Sequence, residues 1–292
     1  MRRLLFDLIA RYVKRSPPHP GRGMLARLAW RLHPRELIDE VRPGVRMTIR
    51  LGHDDDLAYW TGGYERDGEV DTFVSFLRPG MTIVDVGANV GLYAIAAARA
   101  VSATGRVLAF EPVPWVADRL RSHLALNGVT NVSVFPIALS SEPGIARLSV
   151  GTNDSQGSLF GREATRVIQV ETARLADVLG REGCDRVDAV KIDVEGAELH
   201  VLRGMDGLLH GEGRPLIQCE IFPDALAAAG ATGQEVFDWI ARHGYVGHLI
   251  RRGRLHRVER VARPRWRGPG TSRVDNYLFV PHPSCIRGVA GR

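Results

Sequence analysis

From residue 69 onward, short apolar runs alternate with stretches whose apolar residues recur at helical spacing. Residues 81–84, 106–111, 132–137, 187–192, 215–221, 245–250 and 276–280 read as strands. Residues 69–77, 92–100, 114–126, 175–181, 198–203 and 234–243 read as helices between them. Strand and helix in alternation predict an α/β fold with a doubly wound, mainly parallel sheet. Residues 145–150 and 167–172 read as a hairpin joined by the long polar loop 151–166, either a site loop or plain surface. Upstream, residues 46–51 alternate like a strand. Leu4, Leu5, Leu8, Ile9, Tyr12 and Val13 share one helical face, flanked by Arg2, Arg3, Arg11 and Lys14. The run Ser16-Pro17-Pro18-His19-Pro20-Gly21 breaks that helix, and a second helical piece covers 23–32. The expected organisation is a basic helical extension and linker, 1–42, before one domain, 43–292.

Asp85-Val86-Gly87-Ala88-Asn89-Val90-Gly91 follows the first core strand and opens an Ala-rich helix. Strand, glycine turn and helix N-terminus together make a nucleotide-sized crevice. Gly87 and Gly91 lack Cβ, which permits a tight turn and a close approach. Glu111 ends the next strand, 20 residues after Gly91, where a carboxylate can accept hydrogen bonds from a ribose diol. The Gly-x-Gly-x-x-Gly fingerprint of dinucleotide sites is missing, and Asp85 would repel a diphosphate. S-adenosylmethionine has an ammonium, a sulfonium and a carboxylate and no phosphate, so the residue chemistry favours it as cofactor.

Four segments then resemble the FkbM family of S-adenosylmethionine-dependent methyltransferases: 85–91, Phe110-Glu111-Pro112, Ala138-Leu139-Ser140, and Lys191-Ile192-Asp193-Val194-Glu195-Gly196-Ala197-Glu198. Gly63-Tyr64-Glu65, Asn127 and Glu220-Ile221 also fit the pattern. The resemblance covers roughly 45–250 with a final strand near 275–281 and implies a seven-stranded, Rossmann-like class I methyltransferase sheet whose last strand is antiparallel. Strand order, supported by the resemblance, gives Asp85, Gly87, Asn89 and Gly91 to the methionine end, Glu111 to the ribose and Ala138 to the adenine. Asp193 and Glu195 follow the fourth strand, where an acceptor would approach. Either can be the base that takes a hydroxyl proton; alternatively they hold Lys191 or cap the next helix. The resemblance also implies the acceptor class: a hydroxyl of a sugar, glycolipid or secondary metabolite. With Glu220 near, metal dependence stays open, and no metal ligand is assigned.

Charge narrows the partners. Residues 1–42 carry +6, 43–250 carry −9 and 251–292 carry +9, which sum to the net +6. An acidic body argues against a nucleic-acid partner. The basic first helix can pack on the domain or lie on anionic lipid through residues 1–15. The segment 251–273 holds nine arginines and one acid, Glu259, and reads as a solvated loop, a docking strip or a grip for an anionic acceptor. Cys184, Cys219 and Cys285 form no close pair, which suits a reducing, cytoplasmic setting, peripheral to a membrane if the first helix binds lipid. A nicotinamide-dependent oxidoreductase and a non-catalytic cofactor-binding or peripheral membrane scaffold are the competing readings.

Overall fold

The computed structural model describes residues 2–15, 20–32, 36–50, 53–62, 64, 67–151, 157–159, 166–262 and 274–281. Gly63, Glu65, Cys285, most of the polar loop 151–166 and residues 263–273 of the arginine-rich segment lie outside them. Packing divides the chain into residues 1–66 with 125–128, and 67–124 with 129–292.

The first unit contains α1 (Arg2–Arg15), α2 (Pro20–Leu32), β1 (Glu36–Arg42), β2 (Val45–Arg50) and α3 (Asp54–Thr61). β1 and β2 pair antiparallel, so the division expected after residue 42 falls inside a hairpin. β2 buries Val45, Met47 and Ile49 in alternation, the period of a half-buried strand. α1 buries Phe6, Ile9 and Val13, spaced to share one face. Phe6 stacks on the buried Trp60 with ring centroids 6.0 Å apart, and Trp60 Nε1 donates to Asp39 Oδ2 at 2.8 Å. Leu4, Leu5, Leu8 and Tyr12 are exposed instead. The six apolar positions of α1 therefore serve two faces, not the single face their spacing suggested. Arg46 N donates to Asn127 Oδ1 at 2.9 Å, and Asn127 Nδ2 donates back to Arg46 O at 2.6 Å.

The second unit runs α4 (Glu69–Ser75), β3 (Thr82–Val86), α5 (Leu92–Val101), β4 (Arg106–Phe110), α6 (Pro114–Leu126), β5 (Val132–Phe135), β6 (Ala138–Leu139), β7 (Gly144–Val150), β8 (Gly157–Ser158), β9 (Arg166–Ala173), α7 (Leu175–Arg181), β10 (Ala189–Ile192), α8 (Glu198–Gly204), a 3-10 turn (Asp206–Leu209), β11 (Leu216–Ile221), α9 (Pro223–Ala228), α10 (Gly233–Ala241), β12 (Val246–Arg251), β13 (Arg254–Val258) and β14 (Asp275–Val280). The main sheet has the order β13-β12-β14-β11-β10-β3-β4-β5. β11, β10, β3, β4 and β5 are parallel, and β14 runs antiparallel between β11 and β12. This is the doubly wound, Rossmann-like sheet expected from the sequence. β10 buries all four of its residues and β3 four of five, as strands covered on both faces must.

Two details differ from the expectation. The sheet has eight strands, not seven, because residues 254–258 pair antiparallel with β12. The arginine-rich segment thus begins as a hairpin, turning at Arg252-Gly253, both with positive φ. The hairpin β7–β9 forms, with β6 and β8, a separate four-stranded sheet.

The chain leaves β3 towards β4 and β5 on one side, and later fills β10 and β11 on the other. The winding reverses between β3 and β10, the switch point at whose carboxyl end ligands bind in such sheets.

Candidate active site

Everything at the switch point is arranged around backbone contacts that small residues permit. The turn after β3 bends through Gly87 (φ 74), Asn89 (φ 47) and Gly91 (φ 100). Gly87 N and Ala88 N donate to Phe110 O at 3.0 and 2.9 Å, strapping the turn to the end of β4. Asp193 N donates to Val86 O at 3.1 Å from the other side. A Cβ at Gly87 would sit 1.8 Å from Asp193 O, and one at Gly91 would sit 2.3 Å from Leu120 Cδ1. The close approach that the glycines permit is thus, in the first place, one of chain to chain.

Glu111, just past β4, is almost fully buried. Its Oε2 accepts from Asn89 N at 2.9 Å and its Oε1 from Val113 N at 3.0 Å. Each oxygen keeps a further lone pair for a ligand hydroxyl. Glu111 N donates to Phe135 O at the end of β5, and Ala138 follows three residues later as the first residue of β6, also buried. Asp85, Gly87, Asn89, Gly91 and Glu111 therefore form one connected group. Ala138 stands at the adjoining strand end, with no contact recorded to that group.

The lysine of the Lys-Ile-Asp-Val-Glu segment joins the two halves of the site. Lys191, on β10, is buried. Its Nζ donates to Gly87 O at 2.8 Å and lies 3.4 Å from both Asp85 Oδ1 and Asp193 Oδ2. It also lies 5.0 Å from the centre of the Tyr93 ring, a cation–π distance. Gln218 Nε2 donates to Tyr93 Oη at 2.7 Å. Burial pushes the Lys191 ammonium down, but the charges of Asp193, Asp85 and Glu220 outweigh it and hold its pKa above the usual value. Sequence reasoning treated Lys191 only as a partner for the acids, and it missed Tyr93 and Gln218. An apolar strand interrupted by a lysine was the available signal, since a buried lysine must find counter-charges.

The carboxyl groups are tuned by the same burial. Asp85 is raised by burial against the lowering charge of Lys191. Glu220 is raised well above its usual range by burial, then by the charge of Asp193 and a hydrogen bond with it. Asp193, Glu195 and Glu220 bring carboxylate oxygens within 4.8 Å of one another. The ammonium of Lys191 relieves part of the repulsion such a cluster would otherwise suffer. Glu195 holds a left-handed backbone (φ 51), and Glu198 Oε1 accepts from Gly196 N at 3.1 Å.

Glu111 is pushed up to about 7 by burial, against the hydrogen bonds from Val113 and Asn89. Its ordinary value is 4.5. Between those values the folded chain holds a proton that the unfolded chain has released, so stability falls as pH rises through that window. The shift corresponds to roughly 3 kcal/mol at 1.36 kcal/mol per pKa unit. The urea midpoint should therefore drop between pH 5 and 7.5, and Glu111→Gln should remove that share of the slope. An unchanged slope in the variant would exclude Glu111 as its source.

Several buried acceptors lack a hydrogen-bond donor among the described residues, among them the Asn89 side-chain oxygen and Oε1 of Gln218, and Asp85 Oδ1 has only the Lys191 ammonium at 3.4 Å. Buried polar atoms of this kind are normally satisfied. S-adenosylmethionine has an ammonium and a ribose diol to donate, so the acceptors at Asp85 and Asn89 and the remaining lone pairs of Glu111 fit it.

Comparison with known proteins agrees with this chemistry. A family model described as the methyltransferase FkbM domain matches residues 85–246. The chain is similar to "Methyltransferase sdnD" of Sordaria araneosa, 34% identical over 42% of this chain and 60% of that protein. It is similar to the "31-O-demethyl-FK506 methyltransferase FkbM" of Streptomyces tacrolimicus, 27% identical over 44% of this chain and 61% of that protein. It is also similar to the "AMB antimetabolite synthetase AmbE" of Pseudomonas aeruginosa, 28% identical over 77% of this chain but only 12% of that much longer protein. Among solved structures, a precorrin-6y C5,15-methyltransferase from Geobacter metallireducens aligns over 72% of this chain and 87% of its own, at 16% identity and a TM-score of 0.42. The family model covers more than half of the chain and contains the glycine turn, Glu111, Lys191, Asp193 and Glu220. The chain belongs to the FkbM methyltransferase family.

Proposed function

We propose that this protein is an S-adenosylmethionine-dependent O-methyltransferase acting on a hydroxyl of a sugar, glycolipid or secondary metabolite. One observation carries the reading. Lys191 Nζ lies 3.4 Å from an acid on the expected cofactor side, Asp85, and 3.4 Å from one on the expected acceptor side, Asp193. A single buried cation shared by these two acids supports a cofactor side and an acceptor side next to each other. The printed name of the Streptomyces relative describes transfer to an oxygen, which supports oxygen over nitrogen here.

The cofactor would supply a methyl group activated by its sulfonium. In this chain, Asp85 and the 87–91 turn would bind its methionine end, Glu111 its ribose, and the strand end at Ala138 its adenine. Asp193 and Glu195 would orient the acceptor and take its proton. Alignment of the two reactants is the larger contribution, worth ~7–11 kcal/mol when the geometry is right.

Calorimetric titration with S-adenosylmethionine, S-adenosylhomocysteine and NAD tests the cofactor. Both adenosyl compounds should bind, and Asp85→Ala and Glu111→Ala should lose that binding while remaining folded by circular dichroism. NAD binding alone would replace this reading with an oxidoreductase, and no binding would replace it with a scaffold. Metal dependence is read from methyl transfer in excess chelator.

The acceptor side has a candidate setting as well. Leu4, Leu8 and Tyr12 repeat every four residues on the exposed face of α1 beside exposed Arg3 and Arg11, a pattern suited to an anionic lipid surface. No helix among the described residues is long and apolar enough to cross a membrane. Leu4→Ser with Leu8→Ser leaves the inner face of α1 intact and should abolish flotation with phosphatidylglycerol vesicles. Flotation that persists in the double variant, or is absent in the parent, removes the lipid role.

A further inference from the structure

A second cluster of ligand-type side chains lies outside the site described above. Asp206 opens the 3-10 turn after α8, His210 follows that turn, and His243 follows α10. Their ligand atoms lie within 4.8 Å of one another. The His210 and His243 rings meet nearly edge to face, with centroids 4.9 Å apart at 70°.

The hydrogen bonding of His243 decides what faces Asp206. His243 Nδ1 is 2.8 Å from Trp239 O. A carbonyl oxygen cannot donate, so that nitrogen carries the hydrogen. The other ring nitrogen, Nε2, faces Asp206 Oδ1 at 3.2 Å. A pair of this kind is bridged either by a proton or by a metal ion bound to both atoms. His210 Nε2 stands 3.4 Å from Asp206 Oδ2, the other oxygen of the same carboxylate. Charge-assisted N–H···O bonds are shorter, about 2.7–2.9 Å. Ligands about 2.0–2.1 Å from a tetrahedral zinc ion are about 3.3 Å apart, and each histidine nitrogen stands near that distance from one oxygen of Asp206. A backbone carbonyl that fixes the far nitrogen of the ring is also the usual outer partner of a metal-bound histidine.

We propose that Asp206, His210 and His243 form a zinc-binding site that fastens the 3-10 turn to the end of α10. Two imidazoles and one carboxylate suit zinc better than magnesium or calcium. The His243 side chain is 7% exposed and that of His210 is 62% exposed, so the site is open to water on one side. Three protein ligands leave a fourth position for water or an exchangeable ligand. Arg203 and Arg242 lie over the Trp239 ring and Arg214 donates to His243 O, so the nearest cations are engaged away from the ligand atoms.

The test uses the full chain, free of any affinity tag and stripped with chelator. Cobalt(II) titration followed by visible absorption, then displacement by zinc, should show one equivalent bound. Equimolar zinc should raise Tm. His210→Ala, at an exposed position where the fold should tolerate the change, should weaken zinc binding by at least the ten- to hundredfold that loss of an outer partner costs. His243→Ala should do the same, and Asp193→Asn should leave zinc affinity unchanged. Absence of binding at micromolar zinc, binding that survives His210→Ala, or binding that moves with Asp193→Asn would each overturn the site, leaving protonated imidazoles paired with Asp206.

Discussion

Lys191→Met should destabilise the fold by about 3–5 kcal/mol, the usual cost of removing one partner from a buried ion pair. The side chain is 6% exposed and that of Asp85 is 1% exposed, so water cannot replace the lost ammonium. Methionine keeps the apolar length of the lysine stem but leaves Asp85 facing Asp193 and Gly87 O without its donor. Urea unfolding at pH 7 measures the effect. Asp85→Asn placed on the Lys191→Met background should recover part of the loss, because one of the unpaired charges is then gone. A shift below about 1 kcal/mol, typical of exposed pairs, would mean that the ammonium is not the electrostatic centre of the site.

Asp193→Asn and Glu195→Gln should lower turnover by about 10²–10⁴-fold if the altered carboxylate is the base, the range that general base catalysis contributes. Methyl transfer to an acceptor found by screening measures it, alongside calorimetry with S-adenosylmethionine. A base variant should lose kcat while cofactor affinity stays within a few-fold. The two positions differ in a useful way. Asp193 is tied to Lys191 and hydrogen-bonded with Glu220, so Asp193→Asn should also lower stability. For Glu195→Gln, urea unfolding measured beside turnover separates chemistry from scaffolding. Full activity in both variants would reject the base assignment.

The alternation of strands and helices made the doubly wound sheet legible, because strands buried on both faces leave short continuous apolar runs. The candidate site was legible as far as its residues follow strand ends: Asp85 is the next-to-last residue of β3, and Glu111 and Asp193 directly follow β4 and β10. What escaped has identifiable physical causes. β13 reads Arg-Leu-His-Arg-Val, and its charges mask a strand that sits on the sheet edge with one neighbour. β1, with Glu36, Asp39 and Glu40, is hidden in the same way and exists through its pairing with β2. The two-faced burial of α1 depends on Trp60 of α3, which no local periodicity can report. The binding of Lys191 to Gly87 O depends on β10 lying beside β3, a consequence of winding order and not of local sequence.

The contact between Gly87 and the backbone of Asp193 changes what a glycine motif is evidence of. Alanine is excluded at 87 by the backbone of Asp193, whether or not any ligand ever arrives, whereas at 91 the obstacle is the tip of the Leu120 side chain together with a φ of 100°. A damaged protein carrying Gly87→Ala would thus report on the architecture and say nothing about the cofactor. On the proposed assignment, a homologous sequence that keeps both glycines while losing the acids at 85 and 111 would retain the shape of the site without its chemistry. Recognition by pattern alone would still count it as an enzyme. The carboxylates, not the glycines, are the letters by which activity should be inherited from one sequence to the next.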